Sequence, residues 1–247
     1  MSVKNLVVMS TGRGKEKKSM IGIIGAMSVE MEAIKGLMDN KQDTVISGIT
    51  FTTGQIHGKD VVAAVCGIGK VFAGMCTQTM ILKFAPKQII NVGVAGTLTK
   101  DLGIADIAIA DNMVEHDMDT SAIGDPVGLI SGINIIEIPC DEALVSTIEN
   151  CVKSLSFNTK RGTIASGDQF VADKAKKEYI VNQFGAIACE MEGAAIGQVC
   201  YVNKVPFAVI RAISDSADNQ SHMDYPEFVK IASANSTKVM EKLITML

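Results

Sequence analysis

The stretch Ala186–Asp218, AIACEMEGAAIGQVCYVNKVPFAVIRAISDSAD, decides the fold because it reads as strand, helix and strand. Ala186–Cys189 is a short apolar run, and Gly193–Asn203 carries apolar residues at helical spacing. Pro206 cannot continue that helix, and Phe207–Ile213 has the apolar, β-rich composition of a strand buried on both faces. The stretch therefore predicts an α/β fold.

Three acidic residues follow the strands of this stretch: Glu190, Glu192 and Asp215. In open α/β sheets ligands bind at the carboxyl ends of strands, where a carboxylate is desolvated and its protonation becomes adjustable. Glu30 also follows a buried strand, near the start of the chain. Because Glu30, Glu192 and Asp215 can face one crevice, they are candidates for dividing acid and base work between them.

Each carboxylate also has a structural interpretation. Glu30 lies in the first turn of a predicted helix, where the helix dipole favours an anion. Asp168 and Glu190 can instead be structural, either as helix caps or as ion-pair partners of Arg161 or Arg211. A catalytic role is favoured because Glu30, Glu192 and Asp215 converge on one site; no single carboxylate would be enough.

Working outward, strands and helices alternate along the chain with few interruptions, starting from the buried strand Met20–Ala26 and a helix over 29–38 capped by Ser28. Asp111–Asn134 lacks periodicity and is predicted to be a functional or subunit-contact loop. We expect one domain over residues 20–247, an α/β fold with a mostly parallel sheet covered on both faces. Residues 1–19 are interpreted as a poorly ordered leader or an alternative start.

Composition excludes several classes of function. The chain has 247 residues, 47% hydrophobic, with a net charge of −4 and no long basic block, which disfavours a nucleic-acid surface. No apolar run is long enough to span a bilayer, so no membrane association is expected. The six cysteines show no CxxC pair, which favours a reduced, cytoplasmic setting over a disulfide framework.

Two other motifs carry weaker signals. Gly67-Ile-Gly-Lys70 resembles part of a phosphate loop, but Val71 stands where a P-loop needs Ser or Thr, so its glycines are interpreted as allowing close backbone approach. His116-Asp117-Met118-Asp119 offers metal ligands without a partner cluster elsewhere. We expect no metal and no organic cofactor.

The ordered set of motifs resembles the 5′-methylthioadenosine/S-adenosylhomocysteine nucleosidases of the nucleoside phosphorylase superfamily. The likeness runs in order from about Met20 to the C-terminus. It rests on Ile21-Gly-Ile-Ile-Gly-Ala-Met27 with Glu30, Cys66-Gly-Ile-Gly-Lys70, Gly93-Val-Ala-Gly96, Ser166-Gly-Asp168 with Phe170, Glu190-Met-Glu192, and Arg211-Ala-Ile-Ser-Asp215 with Ala217-Asp218.

This resemblance implies a three-layer α/β/α sandwich with a mixed central sheet and a homodimer as the active unit. It implies hydrolysis of the N-glycosidic bond of 5′-methylthioadenosine, S-adenosylhomocysteine and also 5′-deoxyadenosine, as in methionine salvage within amino-acid biosynthesis. Asp215 is then the general acid that protonates adenine N7, and Glu30 is the base that activates water. Glu192 accepts hydrogen bonds from the ribose hydroxyls. Breaking a glycosidic bond independently requires an acid on the leaving side and a base on the opposite face.

The resemblance also implies the substrate contacts. Phe170 stacks on adenine, the backbone of Val171 pairs with the edge of the base, and Met191 packs beside the ribose. Ser214 orients Asp215, and a loop of the partner subunit completes the wall around the 5′ substituent. The substrate-binding set expected in full is Glu192, Met191, Phe170, Val171, Ser214, Ile68, Met27, Ala95, Gly96, Tyr225 and Ile123.

Two residues depart from the family pattern, and other functions stay open. Val94 stands where a hydroxyl residue is common, and Ile123 replaces an aromatic residue on the subunit-crossing loop. A purine nucleoside phosphorylase is the nearest rival, but Glu30 would repel phosphate. A futalosine-type nucleosidase is a closer alternative, and a catalytically silent nucleoside-binding or adhesion protein is the non-enzymatic one.

Overall fold

The computed structural model describes residues 19–215 and 225–247, except for the side chains of the two residues that begin the last helix. The leader predicted over residues 1–19 falls almost entirely outside the described residues, so this boundary stays a prediction. Ala217 and Asp218, two residues of the family motif, also lie outside them.

Ten strands and six α-helices follow one another along the described residues. The strands are β1 (Ile21–Gly25), β2 (Asp39–Ile46), β3 (Ile49–Ile56), β4 (Lys59–Val65), β5 (Gln88–Thr97), β6 (Ile107–Glu115), β7 (Ile138–Pro139), β8 (Thr159–Ser166), β9 (Ala188–Glu190) and β10 (Phe207–Asp215). The helices are α1 (Ser28–Gly36), α2 (Lys70–Phe84), α3 (Glu142–Ser154), α4 (Lys174–Phe184), α5 (Gly193–Asn203) and α6 (Tyr225–Met246).

The strands form one mixed sheet, which confirms the mixed central sheet that the family resemblance implied. Strands β5, β9, β8, β6 and β10 pair in turn, and β10 pairs again with β5, so these five strands close into a ring. Strands β1, β4, β3 and β2 extend from the ring as an open wing. The antiparallel share is larger than in the mostly parallel sheet expected, because β2, β3 and β4 form a meander, β7 and β10 pair antiparallel with β6, and β9 pairs antiparallel with β5.

Helices cover both faces of the sheet, which confirms the three-layer α/β/α sandwich. Ile23 and Ile24 are neighbours in β1, both fully buried, and their side chains point to opposite faces. Ile24 belongs to the core formed with α2 and α5, whereas Ile23 belongs to the core formed with α1, α3 and α6. Close packing of the apolar residues in both cores holds the strand ends of the sheet in fixed positions.

Some boundaries differ from the sequence prediction. Strand β2 was missed because it is an exposed edge strand with the polar sequence DNKQDTVI, which carries no apolar alternation. The interpretation of Asp111–Asn134 as a loop was wrong in its first part, because β6 continues to Glu115 past an irregularity between Ala110 and Asn112. The cap predicted at Ser28 was also wrong, since α1 begins at Ser28 and is capped at the residue before it. None of the described helices is long and apolar enough to cross a membrane.

Candidate active site

A cleft lies where the carboxyl ends of β1, β5, β9 and β10 meet the segments that follow β4 and β8. This is the end of the sheet at which α/β proteins bind ligands. Most of the residues expected from the sequence line this cleft. They are Met27, Glu30, Ile68, Ala95, Gly96, Phe170, Val171, Met191, Glu192, Ser214 and Asp215.

Glu30 is held in the floor of the cleft by three backbone N–H donors. Its Oε2 accepts from the N–H groups of Ala26 at 2.9 Å and Met27 at 2.8 Å, and its Oε1 accepts from the N–H of Val94 at 3.1 Å. Burial raises the pKa of Glu30 above its ordinary 4.5, although these donors and the nearby Arg211 cation oppose the rise. The result is a fixed carboxylate with enhanced basicity. The missing hydroxyl at Val94 does not affect this contact, because the backbone makes it.

Arg211 is the buried cation beneath the cleft, and its pairing with Glu190, which the sequence left open, is present. It is 1% exposed, and its Nη2 donates to Glu190 Oε2 and to Asn91 Oδ1. Burial alone would lower the pKa of Arg211, but the carboxylates of Glu190 and Glu192 raise it. The signal for this residue was a single charge in the apolar strand FAVIRAIS, since a buried charge must be paired.

Glu190 has the structural role that the sequence left open, because it both caps a helix and pairs with Arg211. Its carboxylate accepts from the N–H of Glu192 at 3.0 Å and of Gly193 at 2.8 Å, which caps the start of α5. The hydroxyl of Ser166 donates to Glu190 Oε1, and it accepts from the N–H of Ala194 at 2.7 Å. Glu190 is therefore fully engaged by the arginine beneath it and by the helix start.

Glu192 lines the cleft and is 6% exposed. Its Oε1 accepts from the N–H of Gly69 at 2.8 Å. Burial and the neighbouring Glu190 charge raise the pKa of Glu192 to about 7, and Arg211 and the Gly69 donor oppose the rise. Glu192 is therefore close to half protonated near pH 7, because burial and the Glu190 charge outweigh these two contacts.

Replacing Glu192 by Gln is expected to stabilise the protein at alkaline pH. The pKa of Glu192 rises from about 4.5 in the unfolded chain to about 7 in the folded one, so the unfolded chain holds fewer protons between these values. The free energy of unfolding therefore falls as pH rises through this window, and ionised Glu192 costs roughly 1–3 kcal/mol at pH 8. Denaturant unfolding of Glu192→Gln should show a gain of that size at pH 8 and little or none at pH 4.5. The exposed Glu178→Gln variant serves as the control, and an equal gain at both pH values would contradict the argument.

Asp215 ends β10 and pairs in register with Gly96 of β5. A Cβ at Gly96 would lie 2.9 Å from Asp215 Oδ2, so only glycine allows this close approach. Lys177 of α4 places its Nζ 3.9 Å from the same oxygen. Burial, with a further contribution from Asp215, raises the pKa of the Cys189 thiol beside it to about 12, so this thiol stays protonated.

The remaining walls of the cleft are apolar. Ile68 and Phe170 are 55% and 57% exposed at its mouth, and Met27, Val171 and Met191 lie among the lining residues. No lysine or arginine is among the described residues that line the cleft. The arrangement suits an uncharged ligand with one flat face, held between carboxylates placed to donate or accept a proton.

Two predicted residues are not placed in this cleft. Ile123 ends the 3-10 turn Ser121–Ile123, is 82% exposed and is absent from the cleft lining of its own chain. The side chain of Tyr225 lies outside the described residues. The partner-completing role of Ile123 stays a prediction.

The glycine motif before α2 serves the site through its backbone. Gly67 and Gly69 have φ of +94° and +98°, a region that favours glycine. A Cβ at Gly69 would lie 3.0 Å from Asp168 Oδ1, so this glycine leaves room for a side chain of the segment after β8. Asp168 accepts from the N–H of Lys70, so the alternative pairing with Arg161 was wrong. Among the described residues, no three of His, Cys, Asp and Glu are grouped to hold a metal ion.

Known proteins resemble this chain both in sequence and in structure. Residues 20–245 match the sequence model described as the phosphorylase superfamily. A 5′-methylthioadenosine/S-adenosylhomocysteine nucleosidase of Shewanella sediminis is 42% identical over 229 residues, covering 92% of this chain and 99% of the relative. An Asp-to-Asn mutant of the Helicobacter pylori MTAN, solved with 5′-methylthioadenosine in its active site, superposes with a TM-score of 0.89 at 36% identity, over 93% of this chain and 99% of that one. The native futalosine hydrolase of Helicobacter pylori superposes with a TM-score of 0.90 at 37% identity, over 94% and 100%.

Proposed function

The chain belongs to the phosphorylase superfamily, and we infer that it acts there as a 5′-methylthioadenosine/S-adenosylhomocysteine nucleosidase. It hydrolyses the N-glycosidic bond of 5′-methylthioadenosine and S-adenosylhomocysteine, releasing adenine and a 5′-substituted ribose. The observation that carries this function is the meeting of Glu30, Glu192 and Asp215 in one cleft, in a chain 42% identical to a nucleosidase of that name.

The base side of the reaction is assigned to Glu30. Its carboxylate is fixed by three N–H donors, and its raised pKa makes it a better proton acceptor than an ordinary glutamate. Water attacks the anomeric carbon of the ribose, and Glu30 takes the proton that the water loses. The Arg211 cation beneath the cleft lowers the pKa of Glu30 and so favours the ionised form, which is the form that can accept a proton.

The acid side is assigned to Asp215. Its proton passes to adenine N7 as the C–N bond breaks, so the base leaves neutral and the ribose gains oxocarbenium character. Phe170 stacks on the departing adenine from the mouth of the cleft, and Glu192 accepts hydrogen bonds from the ribose hydroxyls. One water is consumed for each bond cleaved. Glu30 gains the proton that the water loses, Asp215 loses one to adenine, and exchange of protons with solvent then returns both groups to their starting states.

Hydrolysis rather than phosphorolysis is favoured by the charge of the cleft. A phosphate nucleophile needs a cationic cradle, whereas the described lining residues supply Glu30 and no lysine or arginine. We expect adenine release from 5′-methylthioadenosine in phosphate-free buffer, with free methylthioribose as the second product. Turnover that requires phosphate and yields a sugar 1-phosphate would overturn the assignment.

A futalosine-type nucleoside is the second candidate substrate. The open mouth between Ile68 and Phe170 sets little limit on the 5′ substituent, and the native futalosine hydrolase of Helicobacter pylori has a TM-score of 0.90. The ratio of kcat/KM for futalosine to that for 5′-methylthioadenosine decides this. A ratio near one would add the second activity, and no detectable cleavage of futalosine would remove it.

We further propose that the active unit is a homodimer. Helix α2 exposes Val71, Phe72 and Leu82, which are 73%, 52% and 76% exposed, and an apolar face of this kind is typical of an interaction site. Ile123 then reaches the cleft of the partner, because it does not line its own. Light scattering should give twice the mass of one chain, and Ile123→Asp should raise KM more than it lowers kcat. A monomer at micromolar concentration would contradict the proposal.

A cytoplasmic location is proposed on the basis of the cysteines. All six of them are free in the structure, as expected for a protein kept in a reducing compartment. Cell fractionation tests this, and recovery in an extracellular fraction would contradict it.

A further inference from the structure

Lys70 forms the centre of a charged network beside the cleft. Its Nζ lies 2.9 Å from Glu115 Oε2 and 2.7 Å from Asp117 Oδ1. The three side chains are only 19%, 9% and 20% exposed. Because these ion pairs are largely shielded from water, they are stronger than ordinary surface pairs. The network joins the start of α2 to the end of β6.

Asp117 and Asp168 extend this network to the segment that follows β8. The other oxygen of Asp117, Oδ2, accepts from the N–H of Asp168 at 2.9 Å. Asp168 Oδ1 then accepts from the backbone N–H of Lys70 at 2.8 Å. Lys70, Asp117 and Asp168 therefore form a closed cycle of hydrogen bonds, in which each member holds the other two.

Both ends of this cycle reach residues assigned to the substrate. Gly69 precedes Lys70, and its N–H is the donor to Glu192 Oε1 at 2.8 Å. Phe170 lies two residues after Asp168 and forms part of the cleft mouth. One side of the cycle thus orients the carboxylate assigned to the ribose, and the other side anchors the segment assigned to adenine.

We propose that Lys70, Asp117 and Asp168 are positioning residues that couple the adenine and ribose halves of the cleft. This rests on the proposed function, because it takes Phe170 and Glu192 as the two contacts. Adenine that orders the segment after β8 fixes Asp168, which fixes the Lys70 and Gly69 N–H groups and so pre-orients Glu192. Each product then tightens the binding of the other by the same factor, as linkage requires.

The test is calorimetric titration of adenine, alone and with saturating methylthioribose, followed by the reverse titration. For the wild type we expect each product to strengthen the binding of the other by about tenfold. Asp117→Asn and Lys70→Met should each reduce this factor to below about threefold, and the double variant should reduce it no further, since both act through one cycle. Lys70→Arg, which keeps the cation, should retain most of the coupling.

Lys160→Met is the matched control, because it removes a lysine from an exposed pair with Asp101 and should leave the coupling intact. Thermal unfolding of every variant separates lost coupling from lost folding. Undiminished coupling in folded Asp117→Asn and Lys70→Met, or a wild type that binds both products independently, would overturn the inference while leaving the proposed function standing. A wild type that neither cleaves 5′-methylthioadenosine nor binds adenine would overturn the function itself.

Discussion

Replacing Asp215 by Asn is expected to lower kcat for 5′-methylthioadenosine by about 10³-fold, with KM changed by less than about threefold. An amide cannot deliver the proton that adenine needs in order to leave neutral, whereas binding depends on other groups of the cleft. The substitution is nearly isosteric, so the close approach to Gly96 is kept. Initial rates of adenine release measure the loss.

A substrate with a leaving group that needs no proton separates this role from a general disturbance of the site. Asp215→Asn should cleave p-nitrophenyl 5-methylthioriboside at a rate within about tenfold of the wild type. The p-nitrophenolate leaving group departs as a stable anion, so acid catalysis contributes little to this reaction. Asp39→Asn, on the exposed strand β2, is the control for the substitution itself. Equal losses on both substrates, or a variant that keeps a tenth of its turnover, would contradict the assignment of Asp215 as the acid.

Glu30→Gln is expected to reduce kcat/KM by about 10³-fold or more, because it removes the proton acceptor for water. The amide also brings an N–H group into a position where the carboxylate accepts from Ala26, Met27 and Val94. One donor must then face another donor, so part of the loss comes from displacement of the side chain. Single-turnover rates with a saturating excess of enzyme report the chemical step.

The pH profile gives an independent signature of this base. Glu30 must be ionised to act, and burial raises its pKa above 4.5. Wild-type activity should therefore fall as pH falls through that raised pKa, so its acid limb lies above pH 4.5, and in Glu30→Gln this limb should disappear. Glu32→Gln, two residues along the same helix and exposed, should keep both the rate and the limb. A limb of unchanged position in Glu30→Gln would assign the titration to another group.

Local pattern was enough to predict the parts of the fold that bury apolar residues. Helix α5 begins and ends at Gly193 and Asn203 as its periodicity indicated, and β10 begins at Phe207 where the apolar run predicted a strand. Strand β2 was missed for the opposite reason, since an exposed strand is stabilised by its neighbour's backbone and leaves no apolar signature. The position of the cleft followed from the rule that strand ends meet at one edge of the sheet.

The contacts between side chains of distant segments could not be predicted in the same way. The Lys70 pair with Asp117 joins residues 47 apart, and the Gly69 bond to Glu192 joins residues 123 apart. Nothing in the local sequence encodes such distances, because they depend on how the strands are ordered in the sheet. The same limit applies at short range. Ser28 has the residue type of a helix cap, but the Glu30 carboxylate accepts from the N–H of Met27 and Ser28 is the first residue of the helix.

Strands β5, β9, β8, β6 and β10 form a closed ring that resists change during evolution. We therefore expect new substrate preferences to arise in the loops. Each strand of the ring is bonded on both sides, so none can slide without breaking ladders with two neighbours. Glu190 and Asp215 end two of these strands, and their separation is therefore passed on as a unit. Ile68 lies outside the ladders at the open mouth of the cleft, so it can be exchanged without disturbing the ring. Descendants of this chain can thus acquire a different 5′ preference while the acid stays where it is.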